Sequence, residues 1–287
     1  GGKQVQALEK EFCKQFDVKY AVSVNSATSG IYCMLMAMGV GPGDEVITTS
    51  FNYVADHQAI KMTGADVVMC DIRDDNLGID CEKAEKLITE KTKAIIPLHF
   101  AGIPCDQEGV FNLAKKYNLR VIEDAMHAFG TKINGEKIGS YGDITCFSFY
   151  ANKTITTGEG GMLCTNDDNI ARRVKIMRLH GITSDAWDRF SIGASWEYDI
   201  MAPGFKYNMS DINAALGIHQ IKKVEHFRKK RKSIAESYYK LLDAVPGLTL
   251  PRINCSKEDH SWYLFNVLID PDKTLGGINR DKFINEM

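Results

Sequence analysis

The sequence lacks the patterns that are typical of nucleic-acid-binding proteins and of membrane proteins. Its 287 residues carry 35 Lys and Arg against 37 Asp and Glu, whereas nucleic-acid-binding domains concentrate an excess of basic residues. No apolar run approaches the roughly 18 residues needed to span a bilayer, and no charged-then-apolar signal segment opens the chain. We therefore expect a small-molecule partner, with no nucleic acid and no membrane.

Cysteine pairs with a recognisable spacing are also missing. The eight cysteines are scattered without a C-x-x-C pair or a Cys/His zinc spacing. Several lie within apolar runs, where cysteine behaves as a small hydrophobic residue. We therefore expect free thiols, no metal site and a cytoplasmic location.

Nucleotide fingerprints and repeats are absent as well. Neither G-x-x-x-x-G-K-[ST] nor G-x-G-x-x-G follows a strand pattern, and the chain contains no internal repeat or low-complexity tract. Hydrophobic residues make up 44% and charged residues 25%, which is typical of globular chains that form one large core or two domains.

The first half of the chain alternates between strand and helix patterns. Apolar runs predict strands at 20–24, 45–49, 65–70, 93–100 and 119–124. Helical spacing falls between and before them, at 5–16, 31–38, through residue 60, and at 81–89 and 106–117. Such repeats with short connections predict an α/β fold with a largely parallel sheet, whose ligands bind beyond the carboxyl ends of the strands.

The second half continues with a hairpin signal at Asn134-Gly135 and strands at 143–149 and 161–165. After a helix at 168–179, residues 182–203 fit no element and are interpreted as a substrate-covering or subunit-contacting loop. One long helix is predicted from a cap at Ser210, and its basic run at 222–232 is better explained as a solvated face than as a nucleic-acid patch. A strand at 261–269 and a helix at 279–284 follow.

One lysine lies in a segment that is unusually apolar and rich in hydroxyls. Lys153 stands between two predicted strands and is followed by the glycine turn at 158–161. A lysine amine that burial keeps partly neutral condenses with carbonyls to form Schiff bases, although a lone lysine can equally be an ordinary loop residue. Ser148, five residues earlier, could bind an anion beside it, so together they suggest a phosphorylated aldehyde.

The turn before the second helix offers a place for that anion. Residues 25–30 lead from a strand into a helix, and the amides at a helix N-terminus bind phosphate. Ala27 and Thr28 are the candidate ligands. The alternative is a simple helix cap by Asn25 or Ser26.

Three further side chains follow strand patterns and complete what pyridoxal 5′-phosphate (PLP) requires of a protein. Asp124 can keep the ring nitrogen protonated. Tyr53 can cover one face of the ring, although an aromatic residue at such a junction is often part of the core. His127 can stack on the other face or bond the ring's phenolic oxygen. The sequence therefore predicts a PLP site.

Six ordered segments carry a family resemblance that covers nearly the whole chain: 25–30, 49–55, 123–128, 148–153, 157–161 and 204–211. They resemble the DegT/DnrJ/EryC1/StrS aminotransferases. The resemblance implies the fold type I architecture, with a large PLP-binding domain at 1–235 and a smaller C-terminal α/β domain that begins at 236–287 and is incomplete. It also implies a homodimer with shared active sites, which moves an amino group from glutamate to a nucleotide-linked keto-sugar.

The same resemblance assigns roles to individual residues. Lys153 becomes the Schiff-base and proton-transfer lysine, Asp124 the partner of the pyridine nitrogen, and Tyr53 the stacking residue. Thr28 and Ser148 become phosphate ligands. The segment at 204–208 resembles one that reaches into a neighbouring subunit, which gives Lys206 and Asn208 a place in the partner's site; many members have asparagine where this chain has Lys206.

Two other functions remain open on the same fold. Some relatives replace the lysine by histidine and act as sugar dehydratases, so the presence of Lys153 favours transamination. A regulatory protein without turnover is the non-enzymatic alternative. Family chains usually continue beyond the length seen here, so a truncated gene product or a fragment is also expected.

Overall fold

The structure, a computed structural model, describes residues 1–140, 142–183, 199–274 and 276–287. A seven-stranded sheet organises it. The strands of this sheet are β1 Tyr20–Val24, β2 Glu45–Thr49, β3 Asp66–Cys70, β4 Thr92–Ile96, β5 Arg120–Asp124, β8 Ile144–Ser148 and β9 Gly161–Thr165. Their spatial order is β1-β9-β8-β5-β4-β2-β3. Strands β6 Lys132–Ile133 and β7 Glu136–Lys137 form a separate antiparallel hairpin around Asn134-Gly135, as predicted.

Among the described strands of this sheet, four pairings are parallel, and only β9 runs against its neighbours. The predicted α/β fold with a mostly parallel central sheet is therefore confirmed. Every residue of β8 and β9 is buried, as expected of strands that are covered by helices on both faces.

Helices cover both faces of the sheet. Their bounds are α1 Lys3–Phe16, α2 Ala27–Ala37, α3 Ala55–Met62, α4 Cys81–Leu87, α5 Gln107–Tyr117, α6 Asp168–Met177, α7 Asp211–Ile221, α8 Val224–Leu242 and α9 Arg280–Glu286. Neighbouring strand residues point to opposite faces, so Val46 packs with α2 while Ile47 packs with α4 and α5. The sheet is thus the middle of three layers.

An aromatic cluster fixes α1 against the strand that leads to Lys153. Helix α1 buries Val5, Leu8, Phe12 and Phe16 at the spacing of one helical face. The ring centroid of Phe16 lies 5.0 Å from that of Phe147 on β8. The end of β8 is therefore held in a packed core.

The sequence prediction of one helix from Ser210 is wrong, because the chain forms two. Ser210 caps α7 as predicted, its hydroxyl accepting the Asn213 N–H at 3.2 Å. The helix ends at Ile221, and α8 starts at Val224. The predicted division between residues 235 and 236 falls inside α8 and stays a prediction.

The predicted strand at 261–269 is wrong except at its end. Only β11 Leu268–Ile269 pairs, with β10 Leu248–Thr249. Trp262 adopts a left-handed backbone with φ 52°, which breaks an extended run. The Arg231 guanidinium donates to the carbonyl oxygens of Trp262 and Tyr263 at 3.3 and 3.2 Å, so a side chain occupies acceptors that a neighbouring strand would need.

One smaller difference concerns a strand of the central sheet. Strand β4 ends at Ile96, before Pro97, because proline offers no N–H to a ladder. The unassigned stretch at 182–203 lies largely outside the described residues, so the covering or subunit-contacting role stays a prediction.

Across the described ranges, no helix has the length and apolar character needed to cross a membrane. All eight cysteines are free thiols.

Candidate active site

A cavity of about 720 Å³ opens at the carboxyl ends of the parallel strands. It collects the start of α2 and the segments that follow β2, β5 and β8. The structure brings together there seven of the residues predicted from the sequence: Ala27, Thr28, Tyr53, Asp124, His127, Ser148 and Lys153.

The two remaining predicted residues do not line this cavity. Lys206 and Asn208 lie on the segment between α6 and α7, where the Lys206 ammonium donates to Asn208 Oδ1 at 2.8 Å. Lys206 is exposed. Their predicted role is in a neighbouring subunit's site, and that role stays a prediction.

The phosphate and helix-cap interpretations of residues 25–30 are compatible with each other. The Ser26 hydroxyl caps α2 by accepting the Ser29 N–H at 3.1 Å. The first amides of a helix have no acceptor within the helix, so those of Ala27 and Thr28 are available at the cavity wall. A positive helix end beside free amides suits an anionic group.

A glycine allows the neighbouring strand to approach this helix end. A Cβ on Gly161, the first residue of β9, would stand 2.9 Å from the backbone nitrogen of Ala27 and 3.0 Å from Phe147 O. Both are backbone atoms and cannot rotate away. The contact between β9 and the start of α2 therefore requires glycine.

Lys153 is half-buried in the cavity wall. The neighbouring Thr154 and Ile155 are buried, and the Lys153 Nζ lies 4.8 Å from the ring centroid of Tyr263. Burial lowers the pKa of the Lys153 ammonium, and the Asp124 charge opposes this effect in part. A lysine with a lowered pKa is a better nucleophile at neutral pH. An ordinary, solvent-exposed loop lysine would lack this burial and this lowered pKa.

Asp124 ends β5 with only 2% of its surface exposed. Its Oδ1 accepts the Met126 N–H at 2.9 Å. Burial raises the pKa of the Asp124 carboxyl, and the Met126 N–H and the charge of Lys153 offset this rise only in part. A buried carboxylate that already accepts one backbone N–H can also accept a hydrogen bond from a protonated ring nitrogen.

The walls of the cavity are aromatic. The His127 ring stacks on Tyr263 with a centroid distance of 4.5 Å and an interplanar angle of 19°. Burial and the charge of Lys153 lower the pKa of His127 to about 3, so the imidazole is neutral at ordinary pH. Tyr53, in contrast, is 76% exposed and lies where the cavity meets solvent.

Sequence reasoning missed several residues that line the cavity. Tyr263 comes from a segment that was predicted as a strand, far along the chain from Lys153. Asp56 lies on α3 with 1% of its surface exposed, in a segment considered only for its aromatic residues. Neither residue has a local signal in the sequence, because the acidity of Asp56 is informative only once its burial is known and nothing near Tyr263 marks it as a site residue. The others are Ser26, Asn52, Ala55, Phe100, Met126, Tyr150, Asn152, Glu159 and Gly160. Phe51 also lines the cavity, and its place after the predicted strand at 45–49 makes it, like Tyr53, an expected aromatic wall residue.

These groups fit a planar, phosphorylated aromatic aldehyde. Lys153 offers an amine of lowered pKa, Asp124 a buried carboxylate, and His127 a flat neutral ring. The glycine-lined start of α2 provides amides for an anion. Fold and site together define the class of PLP-dependent enzymes that are built on a mostly parallel sheet with helices on both faces.

The chain belongs to the DegT/DnrJ/EryC1/StrS aminotransferase family, which matches it over residues 1–287. Protein MJ1066 of Methanocaldococcus jannaschii, described as uncharacterized, is 46% identical over 286 residues, which are 100% of this chain and 73% of that protein. The spore coat polysaccharide biosynthesis protein SpsC of Bacillus subtilis is 41% identical over the same shares.

Solved structures agree with this assignment. An aminotransferase from Psychrobacter cryohalolentis superposes with a TM-score of 0.88 at 31% identity, over 99% of this chain and 74% of that one. A Streptococcus pneumoniae relative, Spr1654, is known in PLP and pyridoxamine phosphate (PMP) forms. The chain is therefore a PLP-dependent sugar aminotransferase, with a sugar and an amino donor as its substrates. The predicted family, fold, enzyme class and cofactor are confirmed.

Proposed function

We propose that this chain transfers an amino group from glutamate to a nucleotide-linked keto-sugar, with Lys153 as the lysine that binds the cofactor and moves the proton. The observation that carries the proposal is the half-buried Lys153 amine in one cavity with the Asp124 carboxylate. Bound PLP supplies an aldehyde for amine exchange and a ring that accepts electrons when a C–H bond breaks.

The chain's own residues divide the remaining work. Lys153 Nζ accepts a proton when it is neutral and returns it when charged, and its lowered pKa keeps both forms accessible. Asp124 holds a negative charge where a ring nitrogen must stay protonated. Both roles depend on burial, which strengthens charge interactions by excluding water.

Binding and orientation fall to the other lining residues. Ala27, Thr28 and Ser148 are proposed to hold the phosphate, with amides at the start of α2 and hydroxyls beside it. His127 is proposed to cover one face of the ring, since its neutral, flat imidazole is already held by the stack on Tyr263. Tyr53 is proposed to cover the other face at the cavity mouth.

The keto-sugar is proposed to carry a nucleoside diphosphate, and the active form is proposed to be a cytoplasmic homodimer. SpsC is named for polysaccharide biosynthesis, which supports a sugar acceptor. The exposed Lys206 ammonium, oriented by Asn208, would present a positive charge to an anion in the partner's site.

The test is to supply the purified chain with PLP, glutamate and a panel of nucleotide-linked keto-sugars. We expect 2-oxoglutarate and an amino-sugar to form in equal amounts, and Lys153→Ala to form neither. Sugar conversion without 2-oxoglutarate would instead support the dehydratase alternative. If Lys153→Ala still formed both products, the proposed role of that lysine would be refuted.

Complementation tests the shared site. If Lys206 acts across a dimer, mixing Lys153→Ala with Lys206→Ala chains creates heterodimers in which one of the two sites has both native residues, and activity should rise above that of either variant alone. Activity of the mixture equal to the average of the two separate variants would contradict a shared site.

A further inference from the structure

A second buried carboxyl group lies beside Asp124 and has no part in the roles above. Asp56, in the first turn of α3, has 1% of its surface exposed and lines the same cavity. Its Oδ2 accepts the Asn52 side-chain amide at 2.7 Å. The other oxygen, Oδ1, is buried without a donor among the described residues, yet the two carboxyl groups are within hydrogen-bonding reach.

Two carboxylates this close and this buried cannot both be ionised at neutral pH, because their charges repel each other in a medium that screens them poorly. One proton between them turns the repulsion into a hydrogen bond. The same proton gives the orphaned Asp56 Oδ1 a partner, since an un-ionised carboxyl is a donor.

The surroundings favour the proton on Asp56. Asp124 receives the Met126 N–H and the charge of Lys153, both of which stabilise its ionised form. Within the part of the chain that the structure describes, Asp56 receives only the neutral Asn52 amide. Burial first, and then the charge of Asp124, raise the pKa of Asp56 well above its usual range.

Other titratable groups near the pair reinforce this asymmetry or leave it unchanged. Lys153, in the loop after β8, and His99, after β4, act on Asp124 and lower its pKa. The Nε2 atom of His57, on the same helix as Asp56, is hydrogen-bonded to the carbonyl oxygen of Thr49 at 3.1 Å. The Cys146 thiol on β8 stays neutral, because burial and both aspartates raise its pKa.

We propose that Asp56 is a positioning residue: a carboxylic acid that remains protonated and donates a hydrogen bond to the Asp124 carboxylate. It thereby orients Asp124 toward the ring nitrogen and keeps a single negative charge at that end of the site. The inference rests on the proposed role of Asp124 as the partner of that nitrogen.

The direct test needs no cofactor. In the apoprotein at neutral pH, we expect the infrared carbonyl band of an un-ionised carboxylic acid, which disappears in Asp56→Asn and persists in Asp124→Asn. A wild-type spectrum without that band, or a band that survives in Asp56→Asn, would overturn the proposal. This result is independent of turnover, so it distinguishes failure of the inference from failure of the aminotransferase function.

The second test separates hydrogen bonding from charge. Asparagine keeps a donor at position 56 without a charge, whereas leucine removes the donor at similar size. We expect Asp56→Leu to weaken PLP binding roughly tenfold, the equivalent of one hydrogen bond to a charged group, and to shift the pH titration of the bound cofactor's absorption. Asp56→Asn should restore most of the affinity and the wild-type titration.

Gln58→Leu, at an exposed position of the same helix, controls for a general effect of leucine in α3. Equal losses in the Asn and Leu variants would show that an ionised Asp56 supplies charge. Wild-type affinity and titration in Asp56→Leu would show that Asp56 does not position Asp124. If the leucine variant does not fold, the asparagine variant and the infrared band still decide.

Discussion

Replacement of Gly161 by alanine is expected to destabilise the chain and to weaken PLP binding together. The added Cβ would stand 2.9 Å from Ala27 N, 3.0 Å from Ala27 Cα and 3.0 Å from Phe147 O, whereas ordinary contacts are 3.4–4 Å. All three atoms belong to backbone. Strand β9 and the start of α2 must therefore separate by several tenths of an ångström.

Overpacking of this kind costs about 1–3 kcal/mol. In a chain of this size, 1 kcal/mol changes the melting temperature by about 2–4 °C, so a fall of about 2–12 °C is expected. Differential scanning fluorimetry of the apoprotein measures this fall, and a fluorescence titration measures PLP affinity, which should decrease because the proposed phosphate amides move.

Gly41→Ala is the matched control. Its Cβ would meet nothing nearer than Thr63 O at 4.0 Å, and neither Gly41 nor Gly161 has a left-handed backbone, so steric contact alone separates the two variants. If Gly161→Ala melts and binds PLP like Gly41→Ala, the close approach of β9 to the proposed phosphate site is refuted.

Three further predictions concern single side chains around the cavity. Because burial and the Lys153 charge lower the pKa of His127 to about 3, the unfolded chain binds more protons below the ordinary value of 6.5. The apoprotein should therefore lose up to about 2 kcal/mol more stability than His127→Gln between pH 6.5 and 5, measured by urea titration; equal losses would contradict it. Burial lowers the pKa of Lys153, so its buried charge costs stability at neutral pH and the cost disappears as the pH rises toward 10.5. Apo Lys153→Met should melt higher than wild type at pH 7, by a margin that shrinks at alkaline pH, and a constant margin would argue against the shift. Ser26→Ala should cost about 1 kcal/mol in urea denaturation, since it removes the cap on α2, and no change would contradict the cap.

The sheet and most of the site could be predicted because both depend on local patterns. Apolar runs bounded by turns mark the strands, and polar residues that follow parallel strands meet at one edge. Asp124 and Ser148 end their strands, and Lys153 follows one, so their shared cavity follows from the order of elements. The two interpretations of residues 25–30 were not in conflict, because Ser26 caps the helix while the amides of Ala27 and Thr28 remain available.

What the sequence could not reveal depends on contacts between distant segments. Tyr263 reaches the cavity only because the chain at Trp262 leaves the extended conformation and the Arg231 guanidinium donates hydrogen bonds to the carbonyl oxygens of Trp262 and Tyr263. The apolar run at 261–269 predicts a strand, because no local signal reports that Arg231, on a distant helix, occupies the carbonyl oxygens of Trp262 and Tyr263. Likewise, the acidity of Asp56 becomes informative only when α3 places it against Asp124.

Borohydride reduction tests directly whether Lys153 forms the Schiff base with PLP. The purified chain is incubated with PLP, reduced with borohydride, digested and analysed by mass spectrometry, with Lys153→Ala treated in parallel. We predict a phosphopyridoxyl adduct on the peptide that contains Lys153 and none on that peptide in the variant. An unmodified Lys153 peptide in the wild-type chain, or a specific adduct on another lysine instead, would show that Lys153 is not the lysine that binds PLP.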